Sequence, residues 1–124
     1  MTPSEQSAAT RKFQKELNAG TVSLVLLGVL SRADEPLYGY QIAKRLEGGQ
    51  QDVTMMKQGA LYPVLRSLEK NALLKSRVEP SRSGPPRRYY EITDAGRTAL
   101  EQWSTIWHHN RRFVDAVLKG NYDV

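Results

Sequence analysis

The stretch from Val22 to Leu30 constrains this chain more than any other. Val22, Leu24, Val25, Leu26, Leu27, Val29 and Leu30 leave almost no polar face around a helix. A helix that is apolar all round must be buried nearly all round, so this segment is expected to be the central strut of a core. The run contains Ser23 and falls far short of the roughly 20 apolar residues of a bilayer span. Residues Met1 to Gln6 lack the charged and apolar blocks of a signal peptide. A soluble, cytoplasmic protein with no membrane partner is expected.

The chain has 124 residues, 40% hydrophobic and 25% charged, which is the composition of one globular domain with room for an appendage. Eighteen Lys and Arg stand against 13 Asp and Glu, for a net charge of +5. A basic balance favours an anionic partner, nucleic acid or a membrane surface. The absence of cysteine excludes a disulfide framework, a thiol nucleophile and a Cys-bound zinc or iron–sulfur site.

Residues 1–12 read as a flexible arm. A helical pattern runs from Arg11 to Ser31 with an interruption at Asn18-Ala19-Gly20, after which Thr21 is placed to cap the second part. Asp34-Glu35-Pro36 is a turn. A second helix is expected from about Leu37 to Glu47, with Tyr38, Ile42 and Leu46 on one face and Gln41, Lys44 and Arg45 on others, closed by Gly48-Gly49. A third helix begins near Gln58-Gly59, with Pro63 tolerated in or near its first turn. Leu61, Leu65 and Leu68 form its core stripe, Tyr62, Arg66 and Lys70 form a parallel stripe on another face, and Asn71 marks its end. The period then changes to two: residues 74–78 and 88–92 alternate as strands around the turn-forming stretch Glu79 to Pro86. Thr93 caps a last helix from Asp94 to Lys119, closed by Gly120 and about 39 Å long. The fold class is mainly α with a small β-hairpin, and the order of elements is that of a winged helix-turn-helix over residues 13–93. A long dimerisation helix over 94–120 and a tail over 121–124 complete the chain.

In such a fold the third helix enters the major groove and the hairpin touches flanking backbone or minor groove. Lys57, Gln58, Tyr62, Arg66, Ser67 and Lys70 lie at the start or along the polar side of the third helix. Arg and Lys there neutralise phosphates or donate to guanine, Gln pairs with adenine, and a Tyr hydroxyl holds a phosphate. Tyr38, Gln41 and Lys44 of the second helix join them as candidate DNA contacts. Arg82, Arg87 and Arg88 flank the hairpin tip, and arginine suits a narrow minor groove. A polar stripe opposite a leucine stripe is by itself only a solvated helix face, and a basic hairpin only a soluble edge. It is their joint occurrence in the two places a winged helix needs that points to DNA.

The chain resembles the PadR family of bacterial transcription regulators. The resemblance is carried by Leu37-Tyr38-Gly39-Tyr40-Gln41-Ile42, by Gly59-Ala60-Leu61-Tyr62-Pro63-Val64-Leu65 and by Leu68-Glu69-Lys70-Asn71. It continues through Gly84-Pro85-Pro86-Arg87-Arg88-Tyr89-Tyr90 and Ile92-Thr93-Asp94-Ala95-Gly96, and covers about Leu17 to Leu100. It implies a homodimeric repressor that binds palindromic operators in double-stranded DNA, often at its own promoter, and that a small molecule releases. Tyr62, Arg66 and the wing arginines match positions expected to meet DNA. Two departures stand out: Ala60 where the family often has Thr, and Asn71-Ala72 where Asp-Gly or a similar turn is common.

On the last helix Leu100, Trp103, Trp107, Asn110, Val114 and Val117 follow a three-four spacing, an a/d seam. Ala99, Ile106 and Phe113 broaden it. Such a face is expected to pack against its copy and against Phe13 and Leu17 of the first helix, with Asn110 fixing register. Trp103 and Trp107 either fill that seam or line a slot for a planar aromatic effector, and the multidrug-binding branch of the PadR family is similar in having a Trp at the position of Trp107. His108 and His109 point about 100° apart on a helix and do not chelate together, so neither a metal nor any other cofactor is expected. No phosphate-binding Gly-rich loop or nucleophile elbow is present, so an enzyme is not expected. A winged-helix protein–protein adaptor is the rival reading.

Overall fold

The computed structural model describes residues 7–47 and 58–121. Along the chain run α1 (Ala8–Arg32), β1 (Leu37–Tyr38), α2 (Gly39–Glu47), α3 (Gln58–Lys70), β2 (Leu74–Glu79), β3 (Arg87–Ile92) and α4 (Asp94–Lys119). The strands form one antiparallel sheet in the order β1-β3-β2. The mainly helical fold with a β-hairpin wing is the one expected from the sequence.

Every residue from Thr21 to Ser31 is at least partly buried. Val22, Leu26, Leu27 and Leu30 of α1 meet Leu37, Ile42, Leu61, Leu65, Leu68, Leu74, Tyr90, Ile92 and Ala99 in one core. The apolar run is therefore the strut its composition requires, and the leucine stripe of α3 faces it.

Four local expectations differ. The first helix starts earlier than expected, at Ala8, inside the stretch read as an arm, because the Ser7 hydroxyl accepts the Thr10 N–H at 3.1 Å and caps it. It runs unbroken through Asn18-Ala19-Gly20. Thr21 caps nothing there; its hydroxyl donates to the Leu17 carbonyl one turn back, at 3.0 Å. The second helix begins at Gly39, since Leu37 and Tyr38 pair with Tyr90 and Tyr89 as a short strand. Two residues are too few to show a period, and only the exposed edge of β3 makes them a strand. Pro63 is the sixth residue of α3, in its second turn. It removes the hydrogen bond to the Gly59 carbonyl.

The turn from α3 into the wing is a Schellman closure. Leu73 N–H donates to the Leu68 carbonyl at 3.0 Å and Ala72 N–H to Glu69 at 2.9 Å. Ala72 occupies the left-handed position with φ of 64°, so the departure from a glycine-containing turn leaves the turn intact but places a Cβ in it.

Thr93 then joins three elements. Its hydroxyl accepts Gly96 N–H at 3.0 Å, capping α4, and donates to the Ala72 carbonyl at 2.7 Å. Its own N–H donates to Leu73 at 3.1 Å. Gly96 is a packing requirement: a Cβ there would collide with the Leu73 carbonyl oxygen. Gly120 closes α4 in the left-handed conformation, with φ of 77°. Among the described residues no helix is long and apolar enough to cross a membrane.

Candidate nucleic-acid interface

The outward face of α3 carries Arg66, Ser67 and Lys70, all exposed. Neither Arg66 nor Lys70 pairs with a carboxylate among the described residues, so both charges are available to phosphate or base. Gln58 opens the helix. Lys57 lies outside the described residues. Tyr62 is only partly exposed: it packs on the core, and its hydroxyl and ring lie over Gly39 of α2.

The candidates on β1 and α2 are partly occupied. Gln41 uses its Oε1 to accept the Tyr38 N–H at 3.1 Å at the start of the helix. Lys44 is exposed, lies 3.5 Å from Glu47 and sits 5.7 Å above the Tyr40 ring. Tyr38 belongs to an aromatic cluster. It meets Tyr89 edge-on at 5.4 Å and Tyr40 at 6.3 Å between ring centres.

The wing arginines are not equivalent. Arg82 is exposed at the tip with no ion-pair partner among the described residues. Arg87 lies over the Tyr38 ring at 4.5 Å, a cation–π contact. Arg88 donates to the Ser76 hydroxyl at 2.9 Å. Ser76 in turn donates to Glu69 of α3 at 2.6 Å. On β2, Lys75 and Arg77 are neutralised by Glu91 at 3.5 Å and Glu79 at 2.8 Å. Among the cationic DNA-contact candidates in the described residues, those with no carboxylate, ring or hydroxyl partner are thus Arg66 and Lys70 on α3 and Arg82 at the wing tip. Behind them Tyr90 is buried, and its hydroxyl is pushed above the ordinary tyrosine value by burial first and by the nearby Glu69 carboxylate second.

Sequence reasoning missed Glu69, Ser76, Tyr40 and Tyr89 as parts of this surface. Tyr40 and Tyr89 were visible as neighbours of Tyr38 and Arg88 in sequence. Their meeting depends on β1, and no local signal joins Glu69 to Ser76 and Arg88.

The family model for the transcriptional regulator PadR-like family matches residues 26–102. The chain belongs to the PadR-like family of transcriptional regulators. A PadR family regulator from Eggerthella lenta is 32% identical, with a TM-score of 0.72 over 89% of this chain and 92% of that one. A PadR-like transcriptional regulator from Bacillus cereus is 29% identical, with a TM-score of 0.67 over 83% of this chain and 96% of that one. A transcriptional regulator from Clostridium thermocellum is 26% identical, with a TM-score of 0.70 over 81% and 92%. No curated protein matches the chain. This PadR-like protein is a DNA-binding transcription regulator and not an enzyme.

The family match ends where α4 leaves the core. Leu100 and Trp103 pack against the protomer's own core. Further along, Ile106, Trp107, Phe113, Val114 and Val117 of this PadR-like chain are exposed, Phe113 at 62%. Phe13 and Leu17 of α1 are exposed as well. Between the two helices lies a groove of about 650 Å³, lined by Phe13, Leu17 and Leu24 on one side and by Trp103, Ile106, Trp107, Asn110 and Val114 on the other. Of the residues expected at a dimer seam, Phe13, Leu17, Trp103, Ile106, Trp107, Asn110 and Val114 line this groove, whereas Phe113 and Val117 are exposed outside its lining and Leu100 packs on the core.

Proposed function

We propose that this PadR-like regulator is a cytoplasmic homodimeric repressor of its own and a neighbouring operon. It binds an inverted-repeat operator, with Tyr62, Arg66 and Lys70 of α3 in the major groove and Arg82 of the wing on flanking DNA. One observation carries the reading: the apolar face of α1 and α4 and the unneutralised basic face of α3 and the wing occur on the same small protomer. An apolar face of this breadth is an aggregation liability until a partner covers it. A second copy covers it and duplicates the basic face about one DNA turn away.

The groove beside Trp103 and Trp107 supports an effector site. Its roughly 650 Å³ is the size of pockets that take small molecules, and two indoles one helical turn apart suit a planar aromatic guest. Entry of such a guest between the helices that carry the dimer seam would change the spacing of the DNA-reading helices and release the operator.

Selection of bound sites from random duplexes tests the reading. The expected product is an inverted repeat with half-site centres about 34–36 Å apart. Recovery of unrelated sequences, or of a lone half-site, contradicts it. Saturable quenching of the Trp fluorescence by planar aromatic compounds is the corresponding test of the groove.

A further inference from the structure

The Ser76 hydroxyl is used from both sides. It donates its single proton to Glu69 Oε2 at 2.6 Å and accepts from Arg88 Nη1 at 2.9 Å. Glu69 belongs to the last turn of α3, whereas Ser76 and Arg88 belong to the two strands of the wing. Ser76 pairs with Tyr90 and Val78 with Arg88, so Arg88 reaches Ser76 diagonally on one face of the sheet. The same face presents Tyr90 to the core. Ser76 and Glu69 are partly buried, Arg88 is exposed, and the two ends of the relay carry opposite charges. Bonds of that kind are shorter and stronger than neutral ones.

We propose that Glu69, Ser76 and Arg88 form a positioning relay that fixes the angle between the recognition helix and the wing, so that Arg88 acts on sequence discrimination through Ser76 rather than by neutralising a phosphate. The relay rests on DNA binding by α3 and the wing. Base edges are read only when the reading side chains are held in place. Attraction to phosphates tolerates small displacements, because it is long-ranged and independent of sequence. A loosened joint therefore removes discrimination and leaves general affinity.

The test uses the full chain on a duplex recovered by selection with the wild-type protein and on a scrambled duplex of equal length. Ser76→Ala changes no charge. It is expected to weaken the selected duplex about tenfold, to leave the scrambled duplex within about twofold and to leave the salt dependence unchanged. Ser76→Thr keeps the hydroxyl on a residue that suits a strand and is expected to restore discrimination. Glu69→Met removes both the charge and the acceptor of the Ser76 proton, and gives opposite signs for the two explanations. Removing a negative charge beside DNA tightens both duplexes by electrostatics alone, whereas loss of the relay weakens the selected one.

Equal effects of Ser76→Ala on both duplexes, or a loss that Thr does not restore, overturn the relay. So does Glu69→Met tightening both duplexes alike. A second measurement needs no DNA. The chain has no cysteine, so spin labels at Ser67→Cys on α3 and Ser83→Cys at the wing tip, diluted with unlabelled protein, report their separation directly. A distance distribution that broadens on Ser76→Ala supports the relay, and an unchanged one overturns it. If the wild-type protein selects no sequence, the operator reading fails and this distance alone decides the relay.

Discussion

The backbone of Gly39 lies under the ring of Tyr62, so close that a Cβ there would stand 2.5 Å from the tyrosine hydroxyl. The contact also reaches ring carbons, so the whole aromatic side chain must shift rather than only its tip. Gly39→Ala is expected to tilt Tyr62 out of its place on α3 and to weaken DNA binding about tenfold, with a stability loss of about 1–3 kcal/mol from overpacking. In a Tyr62→Ala background the same substitution should have little further effect on binding. Fluorescence anisotropy with labelled duplex over the four proteins of the cycle measures the coupling, and additive effects would show that Gly39 acts elsewhere.

Ala72 sits at φ of 64°, where an L side chain pays a steric penalty that glycine avoids. Ala72→Gly is expected to stabilise the fold by about 0.5–1 kcal/mol after the greater chain entropy of glycine is subtracted. A higher urea midpoint at unchanged slope is the signature. A lower midpoint would mean that the Cβ makes a contact that outweighs the strain.

Tyr90 connects stability to alkaline pH. Its hydroxyl is raised above the ordinary value of 10.0, chiefly by burial and then by Glu69. The unfolded chain then loses this proton at lower pH than the folded chain does. Stability from this group is therefore intact below about pH 10 and falls as pH rises through the folded value. Tyr90→Phe should retain more of its stability above pH 10 than wild type, read as a shallower decline of melting temperature. Parallel declines in the two proteins would assign alkaline unfolding to other groups.

On α4, Trp107, Phe113 and Val117 present their side chains to solvent in the single chain, at 38%, 62% and 40% exposure. Replacing these three by glutamine is expected to halve the mass seen by light scattering. Operator binding should become weaker and less salt-dependent, because fewer phosphates are met per complex. An unchanged mass would place the subunit contact elsewhere.

Much of this architecture was legible from local spacing. The Val22–Leu30 run, the Leu61, Leu65 and Leu68 stripe, the alternation flanking residues 79–86 and the bounds of α4 between Thr93 and Gly120 each follow from rules that act within a turn or a strand. The basic positions of α3 and the wing were legible for the same reason. What local spacing could not contain is which of those cations remain free. That Arg87 rests on Tyr38, that Arg88 reaches Glu69 through Ser76, and that Tyr62 is half withdrawn over Gly39 all depend on elements distant in sequence being packed a few ångströms apart. The β1 strand is the simplest case. Leu37 and Tyr38 are too short a run to show a strand period, and they form a strand because folding brings the open edge of β3 beside them. Short-range steric and hydrophobic periodicity is written along the chain. The pairing of polar groups is decided only when the core sets the distances between them.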